Sequence, residues 1–299
     1  MTPLPAGPPP ALRWVSLEKR FGDTVALAGV DLVLHRRESV AVMGPSGSGK
    51  STLLHCLAGI TPPDGGTVWL ADRRIDNLGE RSRSRLRRAE LGFVFQSGLL
   101  LPELPAAENV ALPLMLDGMR RSHAVRRARG WLATLGLDGL EHRRPGELSG
   151  GQAQRVAIAR AVVTGPAVVF ADEPTAALDQ ATGTATVELL VQVTRDADAA
   201  LLVVTHDPAI AALCDRTVHL RDGHVVPSPP TPSRSQQPTG HDQVGANLTG
   251  GDPRTTAPSA GQPRPSGHDP AATGSTDGAP FRGWGDVAQS PATASRRLA

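Results

Sequence analysis

The chain has 299 residues, of which 39% are hydrophobic and 20% charged, with a formal net charge of +2. This is more than one typical domain needs and is compatible with a packed core, while so small a charge decides nothing about nucleic acid. No apolar run reaches the roughly 18 residues of a membrane-spanning helix, so none is expected. Two cysteines, Cys56 and Cys214, are too few for a disulfide framework and read as ordinary core or near-surface thiols.

Residues 1–10 are Pro-rich, without the basic and apolar regions of a signal peptide, and are expected to be disordered in a cytoplasmic chain. Leu12–Leu34 and Thr67–Ala71 read as antiparallel strands, with Ser39–Met43 between them as a short strand ending at a glycine. Lys50–Ala58 reads as a helix and Gly92–Phe95 as a strand. The stretch 102–147 has a helical pattern that interrupts the alternation, carries the Arg120/Arg121 and Arg126/Arg127/Arg129 clusters, and lies within a helical subdomain of about 97–164. Gly151–Thr164 and Ala181–Ala197 read as helices. Ala167–Ala171 and Leu201–Thr205 are apolar runs without alternation, as in strands buried on both faces of a mainly parallel sheet. Strands alternating with helices predict a P-loop-type α/β core over 11–226. Beyond it, 227–299 is dominated by Pro, Gly, Ser, Thr and Ala and is expected to be disordered, its only aromatics being Phe281 and Trp284.

The strongest chemical signal is Gly44, Pro45, Ser46, Gly47, Ser48, Gly49, Lys50 and Ser51, a G-x-x-x-x-G-K-S pattern between a strand and a helix. Its glycines let backbone amides wrap phosphate oxygens, and the helix N-terminus adds partial positive charge. Lys50 supplies a full charge toward the β- and γ-phosphates, the Ser51 hydroxyl suits Mg²⁺, and Thr52 can bond a phosphate oxygen. The pattern predicts binding of ATP and Mg²⁺. A second signal is Val168–Glu173, an apolar strand ending in two carboxylates where open α/β sheets bind ligands. Asp172 is placed to hold Mg²⁺ through water, leaving Glu173 to orient or deprotonate the attacking water. A third is Leu148, Ser149, Gly150, Gly151 and Gln152, with Ser149 as N-cap of a helix whose start suits a second phosphate contact. One nucleotide does not need two such sites from one chain, which hints at completion by another subunit.

LSGGQ at 148–152, between the P-loop and the acidic strand, resembles the signature sequence of ABC-type ATPases. Over about 11–226 the chain resembles an ABC transporter ATP-binding subunit, which implies a RecA-like α/β core, an N-terminal antiparallel β subdomain and a helical subdomain. The resemblance implies that Gln96 senses Mg²⁺ and the permease, that Asp179 belongs to the D-loop, and that His206 contacts the γ-phosphate. Phe21 stands where the family places an adenine-stacking aromatic, usually Tyr, in a chain that has no Tyr. Phe93–Leu116 looks like the subfamily serving lipoprotein release, macrolide or peptide export and the cell-division permease, with Pro105 where Thr is common.

These matches imply a head-to-tail homodimer closing on two ATP molecules, with Glu173, His206 and Lys50 catalytic in one copy and Ser149 and Gly151 contacting nucleotide from the other. They also imply a separately encoded membrane permease, which would keep the chain on the inner face of the membrane, and no nucleic acid. The basic stretch Arg81–Arg88 lacks interleaved aromatics and reads as a solvated helix face. Two alternatives stand beside transport: an ATPase regulating a division-type permease, or a non-transport ABC ATPase.

Overall fold

Large apolar residues buried between more exposed ones set the N-terminal layer: Leu12, Trp14 and Leu17 on its first strand and Val68 and Leu70 on a neighbour are in the core. The computed structural model describes residues 9–96 and 98–227. The expected disorder of 1–10 and 227–299 falls almost wholly on residues outside this range, as do Phe281 and Trp284; Pro9, Pro10 and Pro227 belong to no element. Strand β1 (Leu12–Phe21) pairs antiparallel with β2 (Thr24–Leu34) and with β4 (Gly65–Leu70), which pairs with the two-residue β5 (Arg73–Arg74). Irregular register between Trp14 and Leu17 bends β1 while keeping both residues in the core.

The second sheet has the order β10-β9-β3-β8-β7-β6. Its members are β3 (Ser39–Met43), β6 (Leu91–Val94), β7 (Val168–Asp172), β8 (Ala200–Val204), β9 (Arg216–Arg221) and β10 (His224–Val226). All are parallel except the β9–β10 hairpin at one edge. Every residue of β8 is buried, as its unbroken apolar run requires. One face of this sheet, with Val40, Val42, Phe170 and Leu202, shares a core with α1 (Lys50–Leu57) and the antiparallel sheet. The other, with Val169, Ala171, Leu201 and Val203, packs on α3 (Ala106–Leu116), α4 (Arg121–Thr134), α5 (Gly150–Val162) and α6 (Gln180–Asp196). The remaining helices are α2 (Glu80–Glu90) and the short α7 (Pro208–Ala211).

The basic stretch Arg81–Arg88 lies on α2 but is less solvated than its composition suggests. Arg83 and Arg87 both pair with Glu80, and Leu86 is buried. Ahead of α3, Pro105 takes the N-cap position with an extended ψ of 161°, which a proline φ allows. The loop before it is held from below by Asn109, whose side chain is fully buried. Its Oδ1 accepts from the Leu101 N–H at 2.7 Å, and its Nδ2 donates to the carbonyls of Leu101 and Leu104 at 3.0 and 2.8 Å. Asn109→Ala strips these partners from backbone groups and is expected to destabilise the chain by about 2 kcal/mol. Urea unfolding measures this; a loss inside the roughly 0.5 kcal/mol range of ordinary surface changes contradicts it.

Candidate functional site

The parallel register carries four strand ends to one edge. Val42 of β3 pairs with Val204 of β8, Val204 with Asp172 of β7, and Ala171 with Val94 of β6. The residues that follow, from Gly44, Thr205, Glu173 and Phe95, therefore emerge side by side, as ligand-binding segments do in open α/β sheets. The loop 44–49 joins β3 to α1. Two of its glycines have no alternative: a Cβ on Gly44 would lie 2.1 Å from the Leu220 carbonyl, and one on Gly49, at φ 100°, would lie 2.3 Å from the Ala26 carbonyl. The ammonium of Lys50 donates to the carbonyls of Gly44 and Pro45 at 2.7 and 2.8 Å. Pro45, Ser46, Gly47 and Ser51 are exposed along this loop, Thr52 is half-buried, and the buried Ser48 hydroxyl has no partner among the described residues.

Asp172 ends β7 half-buried. Burial pushes its carboxyl above the usual carboxylate range; the charge of His55 opposes this, Glu173 adds to it and Lys50 opposes it. Glu173 follows at φ 44°, a left-handed conformation that a non-glycine residue holds only when its surroundings impose it. Its N–H donates to the Val204 carbonyl at 2.9 Å. Its Oε1 lies 2.8 Å from His206 Nδ1, and its Oε2 accepts a long bond of 3.5 Å from the buried Thr205 hydroxyl. Bonding to Glu173 raises the pKa of the exposed His206 imidazole.

Gln96 is exposed in the turn that follows β6. Phe21, the last residue of β1, is 54% exposed, with one ring face 5.4 Å from the Lys19 ammonium. Ser149 caps α5 through a reciprocal box with Gln152, at 2.9 and 3.3 Å, and Gly150 and Gly151 follow with open amides at the helix start. Gly151 packs on the start of α6, where a Cβ would lie 2.8 Å from Thr182 Cγ2. Asp179 caps α6 by accepting from the Thr182 N–H at 3.0 Å. The side chains of Ser149 and Gln152 bond to each other's backbone and, among the described residues, to no P-loop residue.

Residues 27–176 match the ABC transporter family. The chain belongs to that family. The lipoprotein-releasing system ATP-binding protein LolD of Hydrogenovibrio crunogenus is 47% identical over 215 residues, covering 71% of this chain and 94% of that protein. LolD 2 of Caulobacter vibrioides is 46% identical over 220 residues, covering 72% and 96%. Among solved structures, the ATP-binding cassette MJ0796, as a dimer in a post-hydrolysis state with ADP and Pi, aligns with a TM-score of 0.65 at 37% identity, covering 72% of this chain and 96% of that one. CbiO1 from Clostridium perfringens, part of the cbiONQ transporter complex, aligns with a TM-score of 0.67 at 28% identity, covering 73% and 87%. This ABC-family chain is an ATPase that binds ATP.

Three further residues beside these groups carry little signal in the sequence. His55 follows Ser51 by four positions, one helical turn, so that spacing was the available signal for its influence on Asp172. Lys19 is buried beneath Phe21 with its ammonium bonded to Asp64 at 2.9 Å and to the Pro62 carbonyl at 3.0 Å; nothing local announces partners over 40 positions away. Thr205 looked like the end of an apolar strand.

The Glu173–His206 pair has a sign that can be tested. Its imidazolium form, held by the Glu173 carboxylate, is lost as pH rises through the elevated imidazole pKa. In Glu173→Gln, the His206 imidazole is expected to titrate lower than in the wild type, read by NMR and assigned with His206→Ala. An unchanged midpoint contradicts the pairing.

Proposed function

We propose that this chain is the ATP-hydrolysing subunit of a transporter for membrane-anchored substrates, lipoproteins above all, working as a homodimer beneath a separately encoded permease. The observation that carries it is the split site. Phosphate-facing groups of 44–52, Asp172, Glu173 and His206 share one sheet edge, whereas the side chains that cap the start of α5 bond to none of them among the described residues. A second copy supplies the missing half: Ser149, Gly150, Gly151 and Gln152 of one chain face the nucleotide on the P-loop of the other, with Asp179 beside them. The LolD relatives span the cassette at 46–47% identity, which favours extraction over the division-type and non-transport alternatives. The cassette is taken as 11–226, with about 97–164 as its helical subdomain and the segments 1–10 and 227–299 outside it.

Phe21 stacks on adenine with Lys19 behind its ring. Lys50 leaves the Gly44 and Pro45 carbonyls for the β- and γ-phosphates, and Thr52 and the loop amides hold the remaining oxygens. Ser51, Gln96 and Asp172 form an all-oxygen donor set with a single carboxylate, which fits Mg²⁺ completed by phosphates and water. When bound, Mg²⁺ neutralises charge between the phosphates. Glu173 accepts a proton from the attacking water, and His206 donates toward the γ-phosphate.

The permease segment has a place to dock. A groove of about 400 Å³ lies between the sheet edge and the helices, lined by Phe93, Phe95, Leu99, Leu112, Leu116 and Arg88. Leu99 and Leu116 are 57% and 60% exposed, and among the described residues no carboxylate pairs with Arg88, whose Nε is buried without a partner. An apolar cytoplasmic helix carrying an acid fits this lining. Attachment at the inner face is assigned to that permease; no helix among the described residues is long and apolar enough to cross a membrane.

Glu173→Gln is expected to lower turnover by about 10² or more while ATP-bound dimers accumulate and the permease co-purifies. Normal turnover overturns the role of Glu173; recovery with ribosomes or DNA and no permease overturns the transport reading.

A further inference from the structure

Gln154 lies on α5, two residues beyond Gln152, and is 4% exposed. A polar side chain this deeply buried requires partners. It has two, on different segments of the site. Its Nε2 donates to the Pro174 carbonyl at 2.8 Å and to the Phe95 carbonyl at 3.3 Å. Pro174 directly follows Glu173, and Phe95 directly precedes Gln96. One amide group thus sits between two carbonyls belonging to the ends of neighbouring strands β7 and β6.

The strain at Glu173 gives this contact its weight. A φ of 44° persists only when its surroundings hold it. On one side the Glu173 N–H is bonded to the Val204 carbonyl of β8. On the other, one peptide further along, the Pro174 carbonyl is bonded by Gln154. Further along α5, Arg160 donates to the Gly98 and Leu99 carbonyls at 2.6 and 2.7 Å, so the turn containing Gln96 is tied to the same helix at both ends. The helix that carries these ties begins at Ser149.

We propose that Gln154 is a positioning residue for ATP hydrolysis: its amide fixes the carbonyl of Pro174, the residue after Glu173, and the peptide before Gln96 against α5. Movement of the helix that begins at Ser149 then reaches the base and the Mg²⁺-facing glutamine together. This rests on the roles of Glu173 and Gln96 given under Proposed function.

Gln154→Met keeps the volume and removes both donors. Its kcat for ATP is expected to fall by about 10- to 100-fold through misplacement of the base, with the KM for ATP within about two-fold of wild type. A purely structural role would instead lower thermal stability and the folded fraction, leaving kcat per folded molecule unchanged. Gln154→Glu, nearly the same shape with the donor group replaced by an acceptor, provides the same split should the methionine variant not fold. A kcat within two-fold of wild type in the folded variant overturns the proposal, as does a loss carried by KM. Glu173→Gln assayed alongside separates the two failures. Normal turnover there removes the base itself, whereas an inactive Glu173→Gln beside a fully active Gln154→Met removes only the positioning role.

Discussion

The backbone of Gly44 meets the carbonyl of Leu220 where no side chain fits. This close approach presses the start of the phosphate loop against β9 and makes β3, flanked by β9 on one side and β8 on the other, the reference for the site. Once β3 is central, parallel register decides which residues emerge beside the loop. Thr205 and His206 leave β8, Asp172 and Glu173 leave β7 one strand further, and Gln96 leaves β6 beyond that. The double-sided burial of these strands is thus what converts separate sequence segments into one edge.

On that edge two adjacent carboxylates are made different by their surroundings. Asp172, at the end of the strand, is held in a setting that disfavours its charge and is relieved by His55 and Lys50. Glu173, one residue on, turns out of the strand through a left-handed backbone and meets an imidazole and a hydroxyl. Side-by-side acids with unlike partners can take unlike tasks, one toward a cation and one toward a proton. With the roles proposed for them, the Glu173–His206 contact holds the base against the γ-phosphate donor, and engagement of nucleotide by His206 would free the carboxylate.

Much of this was legible in the residues because the signals were local. Ser39–Met43 reads as a buried strand and is one, and Ser149 reads as an N-cap and is one. Strand limits moved by one residue where chain ends are set by partners. Ala167 donates to the Glu90 carbonyl outside the ladder, and Asp172, counted after the strand, pairs with Val204 inside it. What stayed hidden was non-local. Gln154 follows two other polar residues of a helix start and looks solvated, yet its partners lie 59 and 20 positions away. Asn109, in an otherwise apolar helix, was equally silent about the loop it holds. The basic run of α2 suggested solvation because charge was visible and its shared partner, Glu80, stood outside the run.

On this account the chain carries two halves of different sites, and catalysis needs two copies. The most direct measurement is ATPase activity per mole of chain across a dilution series spanning the dimer dissociation range, with saturating ATP. Two-copy sites predict specific activity that rises with protein concentration and levels off once the chain is paired. Activity that stays constant when light scattering shows the chain passing from dimer to monomer would contradict it.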